Sequence, residues 1–181
     1  DLFNSGFVTD MLWYRNPSSS DEMRVLSRLT QGKTLRTDQT TAETGNTTTF
    51  DFMNGADSPV NDSFRGWMWK RAPNYFDVVA YTGNNTAGNT AKHNLGVAPE
   101  MMWIKKRSGA GNWVVYHKDL NNSSPTSPND FYLRLDSSTL EASDNNYFWN
   151  NTAPTADTIT FGINANVNQT SQTFIAYLFA T

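Results

Sequence analysis

Short apolar runs separated by turn-forming residues constrain this chain to a β fold. The runs lie at residues 11–14, 64–69, 75–81, 101–104, 113–116, 131–135, 158–163 and 174–179. The segments between them are rich in Ser, Gly, Asn and Pro, the residues that form turns. Strands at this spacing are typical of antiparallel sandwiches and barrels. The sequence therefore predicts an all-β fold, an antiparallel β-sandwich of the jelly-roll or lectin-like type. Residues 20–29 leave two readings open, a short helix or a strand.

An internal repeat divides the chain into two related modules. The segment DMLWYR at residues 10–15 matches EMMWIK at residues 100–105, and LRTD at residues 35–38 matches LRLD at residues 133–136. A third block aligns WMW at residues 67–69 with IAY at residues 175–177. Because the blocks keep their order, we infer a duplication.

The repeat predicts where the modules begin and end. The first module is a truncated or degenerate copy at residues 1–72, and the second is a β-sandwich module at residues 73–181. The break falls near Ala72 and Pro73, where a strand ends at a proline. The alternative is a single sandwich that both copies form jointly. The second copy has a front section, residues 75–99, that the first copy lacks or retains only as residues 1–9.

Composition excludes several classes of function. The net charge of −3 argues against nucleic acid as a partner. The chain has no cysteine, which excludes disulfides and thiolate metal sites. It has two histidines and no His-x-His pattern, so we expect no metal or cofactor. An oxygen-only Ca²⁺ site at Asp144, Asn145 and Asn146 stays open. No apolar run reaches the roughly 18 residues of a membrane span.

Several motifs of the second copy carry a family resemblance. They are YFDVVAYTG at residues 75–83, HNLGVAPEM at residues 93–101, NWVVYH at residues 112–117, YFWNNTAP at residues 147–154 and FIAYLF at residues 174–179. Together they resemble a domain that recurs in tail-fibre and other structural proteins of aquatic phages, cyanophages among them. The resemblance covers residues 75–180.

The resemblance implies a place and partners for the chain. It implies a virion structural protein, located in a tail fibre or elsewhere on the virion surface. The implied partners are other virion proteins, further copies of the chain, trimers above all, and a host-surface glycan bound through loops. The resemblance supplies no catalytic residue.

Two clusters are candidates for binding a glycan. Trp149 stands in an Asn-rich loop beside Asn150 and Asn151, where an indole face can stack on a sugar ring and amides can bond its hydroxyls. Trp113 and His117 form the second candidate pair. The alternative for the first cluster is structural, with Trp149 plugging the end of the sandwich and the two asparagines making a turn.

Two other functions compete with host recognition. A purely architectural virion protein, a capsid decoration or a tail connector, needs no ligand site. A glycan-degrading enzyme needs two carboxylates on either side of one bond. The acidic residues Asp119, Asp130, Asp136 and Glu141 are present, but their spacing selects no pair. We therefore expect the chain not to be an enzyme, and we expect Asp10 and Glu100 to hold strand ends in water.

Overall fold

The fold is all-β, as the sequence predicts, and its sheets are antiparallel. The computed structural model describes residues 2–20, 22–30, 32–50, 54–57, 63–120, 128–138, 142–143 and 147–181. The candidate Ca²⁺ loop at residues 144–146 lies outside these residues.

The first copy forms a five-stranded sheet and a small ribbon. Its strands are β1 (Leu2–Asn4), β2 (Met11–Arg15), β3 (Arg24–Ser27), β4 (Lys33–Arg36), β5 (Thr44–Gly45), β6 (Gly55–Asp57) and β7 (Arg65–Trp69). The strand order of this first sheet is β5-β4-β3-β2-β7, and β1 pairs with β6 in the ribbon. Residues 20–29 thus contain a strand, β3, followed by a 3₁₀ turn at Arg28–Thr30.

The second copy repeats this plan with one strand more. Its strands are β8 (Phe76–Thr82), β9 (Asn89–Lys92), β10 (Met101–Lys106), β11 (Val114–His117), β12 (Phe131–Arg134), β13 (Ala142–Ser143), β14 (Thr158–Phe161) and β15 (Thr173–Phe179). The strand order of this second sheet is β13-β12-β11-β10-β15-β8, and β9 pairs with β14. A 3₁₀ turn at Pro128–Asp130 precedes β12, and a short helix α1 at Ala165–Asn168 precedes β15.

The registers of the two sheets agree strand by strand. In the first sheet Trp13 pairs with Val25 and with Trp67. In the second sheet Trp103 pairs with Val115 and with Tyr177. In each sheet, consecutive strands pair with one another, and the last strand of the copy returns to pair with the first of them. This arrangement is a Greek key. The ribbon β1–β6 corresponds in chain order to the ribbon β9–β14.

One detail differs from the sequence alignment. Trp67 is equivalent to Tyr177 and not to Ile175, so the alignment of the closing strands was wrong by two residues. The segment at residues 83–88 links β8 to β9, which belong to different sheets. It connects two layers, and a Cβ on Gly83 would lie 2.4 Å from the carbonyl oxygen of Gln169.

Both copies contribute to one central core, which we call the shared core. The rings of the equivalent residues Trp13 and Trp103 meet edge to face, with centroids 5.6 Å apart. The equivalent residues Trp69 and Phe179 also meet, at 6.2 Å. Equivalent residues touch each other in this way only near a two-fold axis. The two sheets therefore pack face to face with pseudo-two-fold symmetry around the shared core.

Each sheet also buries its other face. The outer face of the first sheet packs with Phe50 and Ala56 in one cluster. The outer face of the second sheet packs with Ile159 and Phe161 from β14 and with Val167 from α1. The protein is thus a stack of four β layers, with the shared core in the middle.

Polar contacts also join the two copies. The indole nitrogen of Trp113 donates a hydrogen bond to the carbonyl oxygen of Arg36, at 2.6 Å, and the ring is fully buried. The backbone N–H of Gly111 donates to the carbonyl of Thr40 at 2.9 Å. These bonds join the second copy to the end of β4 and to the loop that follows it.

We expect Trp113→Phe to lower the free energy of unfolding by about 2 kcal/mol, because it removes the indole donor and leaves the part-buried Arg36 carbonyl with only the longer bond from the N–H of Gln39 at 3.4 Å. Urea denaturation followed by circular dichroism measures the change. Trp67→Phe is the matched control, since Trp67 is 47% exposed and should lose less than about 0.5 kcal/mol. Equal losses in the two variants would contradict the role assigned to this bond.

Candidate functional site

Trp149 lies inside the outer core of the second sheet. Its side chain is 2% exposed, and its ring packs edge to face with Tyr116. The indole nitrogen donates to the carbonyl oxygen of Phe131 at 2.8 Å. Both faces of the indole are therefore covered by protein, and a sugar ring cannot stack on them in this structure.

Asn150 and Asn151 make the turn that follows Trp149. Both have a positive φ, 53° and 47°, a conformation that asparagine adopts more readily than most residues. The backbone N–H of Thr152 closes the turn by donating to the carbonyl of Trp149 at 3.1 Å. Asn151 is exposed. The exposed aromatic residue of this region is Tyr147, whose side chain is 45% exposed.

The second candidate pair is separated by the length of β11. Trp113 lies before the strand and faces the shared core, whereas His117 ends the strand at the surface. The ring nitrogen Nδ1 of His117 accepts the N–H of Asp119 at 3.2 Å. The structure therefore does not bring Trp113, Trp149 and His117 into one site. Trp113 and Trp149 lie in different cores.

The acidic residues that open the central strands have structural partners. Asp10 lies 3.5 Å from Arg28 and accepts the N–H of Arg71. Its counterpart Glu100 accepts hydrogen bonds from Lys118 at 2.9 Å and from Thr181 at 2.9 Å. The bond from Lys118 lowers the pKa of Glu100 below its ordinary value. Each acid ties its strand to neighbouring segments of its own copy.

Asp136 is likewise engaged in a structural contact. Its carboxylate accepts the backbone N–H of Trp113 at 3.0 Å and the side-chain amide of Asn112 at 2.9 Å. Glu141 lies outside the described residues. Among the described residues, no group of three or more His, Asp or Glu side chains is arranged to hold a metal ion.

A buried lysine lies where the two copies meet. The side chain of Lys105 is fully buried, and its Nζ donates to the carbonyl oxygens of Thr40 and Lys106, both at 3.1 Å. Burial lowers the pKa of Lys105 to about 8. Beside it, Arg107 forms an ion pair with Glu43 of the first copy at 2.8 Å. The amino group thus bonds the loop that follows β4.

The candidate functional site is the outer edge of β7, which we call the open edge. β7 pairs with β2 on one side, and no strand in the described part of the chain pairs with its other side. Trp67, in the middle of β7, is 47% exposed although its ring contacts Trp13 at 5.4 Å. An unpaired strand edge with exposed aromatic residues is a ready template for another strand.

A groove of about 350 Å³ lies beside the open edge. It is lined by Phe7, Met68, Trp69, Lys70, Ala72 and Tyr75. Tyr75 is 54% exposed, so an aromatic ring borders the groove on the side of the link to β8. The open edge and this groove are continuous, since Met68 and Trp69 of β7 line the groove.

The comparison with protein families gives one assignment. The family described as Domain of unknown function (DUF7483) matches residues 1–181. The chain belongs to the DUF7483 family. Because the match spans both copies, the DUF7483 unit comprises the duplicated pair. Comparisons with curated proteins and with solved structures gave no match. In the described part of this DUF7483 chain, no helix has the length and apolar character needed to cross a bilayer.

The pKa of Lys105 gives the DUF7483 fold a predicted pH dependence. Between pH 8 and 10 the folded state has released this proton while the unfolded chain, with an ordinary lysine pKa of 10.5, still holds it. The free energy of unfolding should therefore rise with pH, by about 2 kcal/mol between pH 7.5 and 9.5. Burial also lowers the pKa of Lys106, which acts in the same direction.

Urea denaturation at several pH values in this range tests the expectation. Lys105→Met should remove most of the rise, whereas Lys92→Met, at an exposed position on β9, should keep it. Measurements should stop below pH 10, because burial raises the pKa of Tyr81 and unfolded tyrosines ionise there. An undiminished rise in Lys105→Met would contradict the assignment.

Proposed function

We propose that this DUF7483 chain is a non-enzymatic structural module of a bacteriophage virion, part of a tail fibre or a similar surface appendage. The motifs of residues 75–180 support the virion location through their resemblance to phage structural proteins. The observation that carries the architectural role is the burial of Trp113 and Trp149, combined with the open edge of β7. Burial covers the aromatic faces that a sugar would need, while an open edge offers a contact to other proteins.

The proposed partners are other virion proteins and further copies of the chain, with a trimer as the expected assembly of a fibre. The contacts of the acidic residues support a role without catalysis. Asp10, Glu100 and Asp136 each accept bonds that hold strands or turns in place. A carboxylate that accepts such bonds has a structural role.

Immunogold electron microscopy tests the virion location directly. Antibodies raised against the purified chain are applied to intact virions of a phage whose genome encodes it. We expect gold particles on the tail appendages, with few on the capsid and none on virions of an unrelated phage. Labelling of the capsid alone would move the module to a decoration role. Virions without label would overturn the proposal.

Host-glycan recognition is a second candidate, and one observation favours it. Tyr147 is 45% exposed and Ile163 is 43% exposed, and the N–H of Asn164 bonds the carbonyl of Tyr147. Tyr147 stands three residues before Asn150 in the chain. An exposed tyrosine ring is suited to stacking on a sugar, as Trp149 was expected to do.

Adsorption of fluorescently labelled chain to host cells, with unrelated bacteria as the control, tests this second candidate. Saturable host-specific binding that falls at least about tenfold in affinity, or about 1.4 kcal/mol, in Tyr147→Ala would support it. The matched control is Tyr75→Ala, which removes a similarly exposed tyrosine at the open edge. If the folded chain does not adsorb to host cells, the architectural role is the better proposal.

A further inference from the structure

The second sheet shows what covers the edge that is open in the first sheet. β15 and β7 are equivalent strands, because each pairs on one side with the central strand of its own sheet. On its other side β15 pairs with β8 over seven residue pairs, from Thr173 with Thr82 to Phe179 with Phe76. The first sheet has no counterpart of β8 in the described part of the chain.

The missing strand has a measurable effect on burial. Tyr177, at the middle of the covered strand, is fully buried, whereas its equivalent Trp67 is 47% exposed. Ile175 is also fully buried, whereas its equivalent Arg65 is exposed. Trp67 is therefore a large and exposed aromatic residue at the position where the second copy has a buried core residue, Tyr177.

We propose that the open edge of β7 binds an extended segment of another protein chain, which adds to the first sheet as β8 adds to the second. Such a segment forms backbone hydrogen bonds along the edge and places alternate side chains against Trp67 and Trp69. This is strand addition, in which the backbone supplies affinity and the side-chain pockets supply specificity. The inference rests on the proposed architectural role in that it names a partner for it. The geometry of the open edge does not depend on where the protein is located.

The pairing of β8 with β15 defines the chemistry of the segment. Val78 lies opposite Tyr177 and Phe76 opposite Phe179, so the segment needs a β-branched residue opposite Trp67 and an aromatic residue opposite Trp69. Asp77 lies opposite Leu178, the equivalent of Met68. A carboxylate at this place on the added strand would be a diagonal neighbour of Lys70, within reach of its ammonium group.

Residue pairing favours a foreign segment over a second copy of the same edge. Antiparallel pairing of two such edges about Trp67 would place the exposed Arg65 of one copy opposite Trp69 of the other, where β8 supplies the aromatic Phe76. The outer edge of β8 is also an unfavourable partner. Asp77 accepts the N–H of its neighbour Val78 at 2.8 Å and that of Asn94 at 2.7 Å, so its carboxylate occupies donors there.

A peptide with the sequence of residues 75–83, YFDVVAYTG, is the probe for this site. We expect fluorescence anisotropy of the labelled peptide to show saturable binding to the full chain in the micromolar range. A peptide with proline in place of Val79 should not bind, because proline removes a ladder donor and fits poorly in a strand. Hydrogen exchange should show new protection of those amides within Arg65–Trp69 that point away from β2.

Two variants make the test specific to the open edge. Trp67→Glu should weaken peptide binding at least about tenfold, because it removes the aromatic contact and places a charge opposite the apolar Val78 of the peptide. Leu29→Glu makes the same change at another exposed apolar residue, 40% exposed, and should bind like the parent chain. Circular dichroism checks that both variants are folded.

Three results would overturn the inference. They are no binding of the peptide, equal binding by Trp67→Glu and the parent chain, and protection that appears in Thr173–Phe179 instead of β7. A concentration-dependent dimer in sedimentation, with no peptide binding, would assign the edge to a second copy and would also overturn it. None of these results bears on the immunogold experiment, so failure here and failure of the virion role can be told apart.

Discussion

Contact between the aromatic inner faces of two equivalent sheets is the interaction on which the rest of this protein depends. Trp13 meets Trp103 and Trp69 meets Phe179 across the shared core. Aromatic pairs of this kind contribute beyond the area that they bury. The bond from Trp113 to Arg36 crosses the same boundary, so it exists only while the sheets are docked. Separating the copies would expose these rings to water and break this bond between the sheets.

The sequence predicted the strands that are determined by the pattern of apolar side chains. It was less successful with the strands and registers that are determined by pairing with a neighbouring strand. Apolar runs predicted the central strands because burial on both faces needs them. Short polar strands such as β9, with the sequence NTAK, carry no such signal, because the ribbon partner β14 and the neighbouring layer define them. The two-residue error in aligning the closing strands has the same origin. A shift of two keeps every side chain on its face, so only the ladder can reveal it.

The candidate site was harder to predict than the fold. The Asn-rich loop after Tyr147 was recognised, and the positive φ of Asn150 and Asn151 accounts for its composition. Which aromatic residue of YFW reaches solvent depends on tertiary packing, and Trp149 turned out to be the one whose indole bonds the Phe131 carbonyl. The open edge had one signal in the sequence, the front section at residues 75–99 that the first copy lacks. The sequence did not show that this section contains an edge strand, β8, that pairs with β15.

Pseudo-two-fold packing inside one polypeptide also has an evolutionary consequence. In a dimer of identical chains, every substitution near the axis appears twice, and both appearances must be tolerated. Once the halves are joined in one chain, each can change alone, and the covalent link keeps their local concentration high. Arg65 where the other half has Ile175, and Trp67 where it has Tyr177, are divergences of this kind. Within one chain, one half can therefore bury a position while the other half exposes the equivalent position, which two identical subunits cannot do.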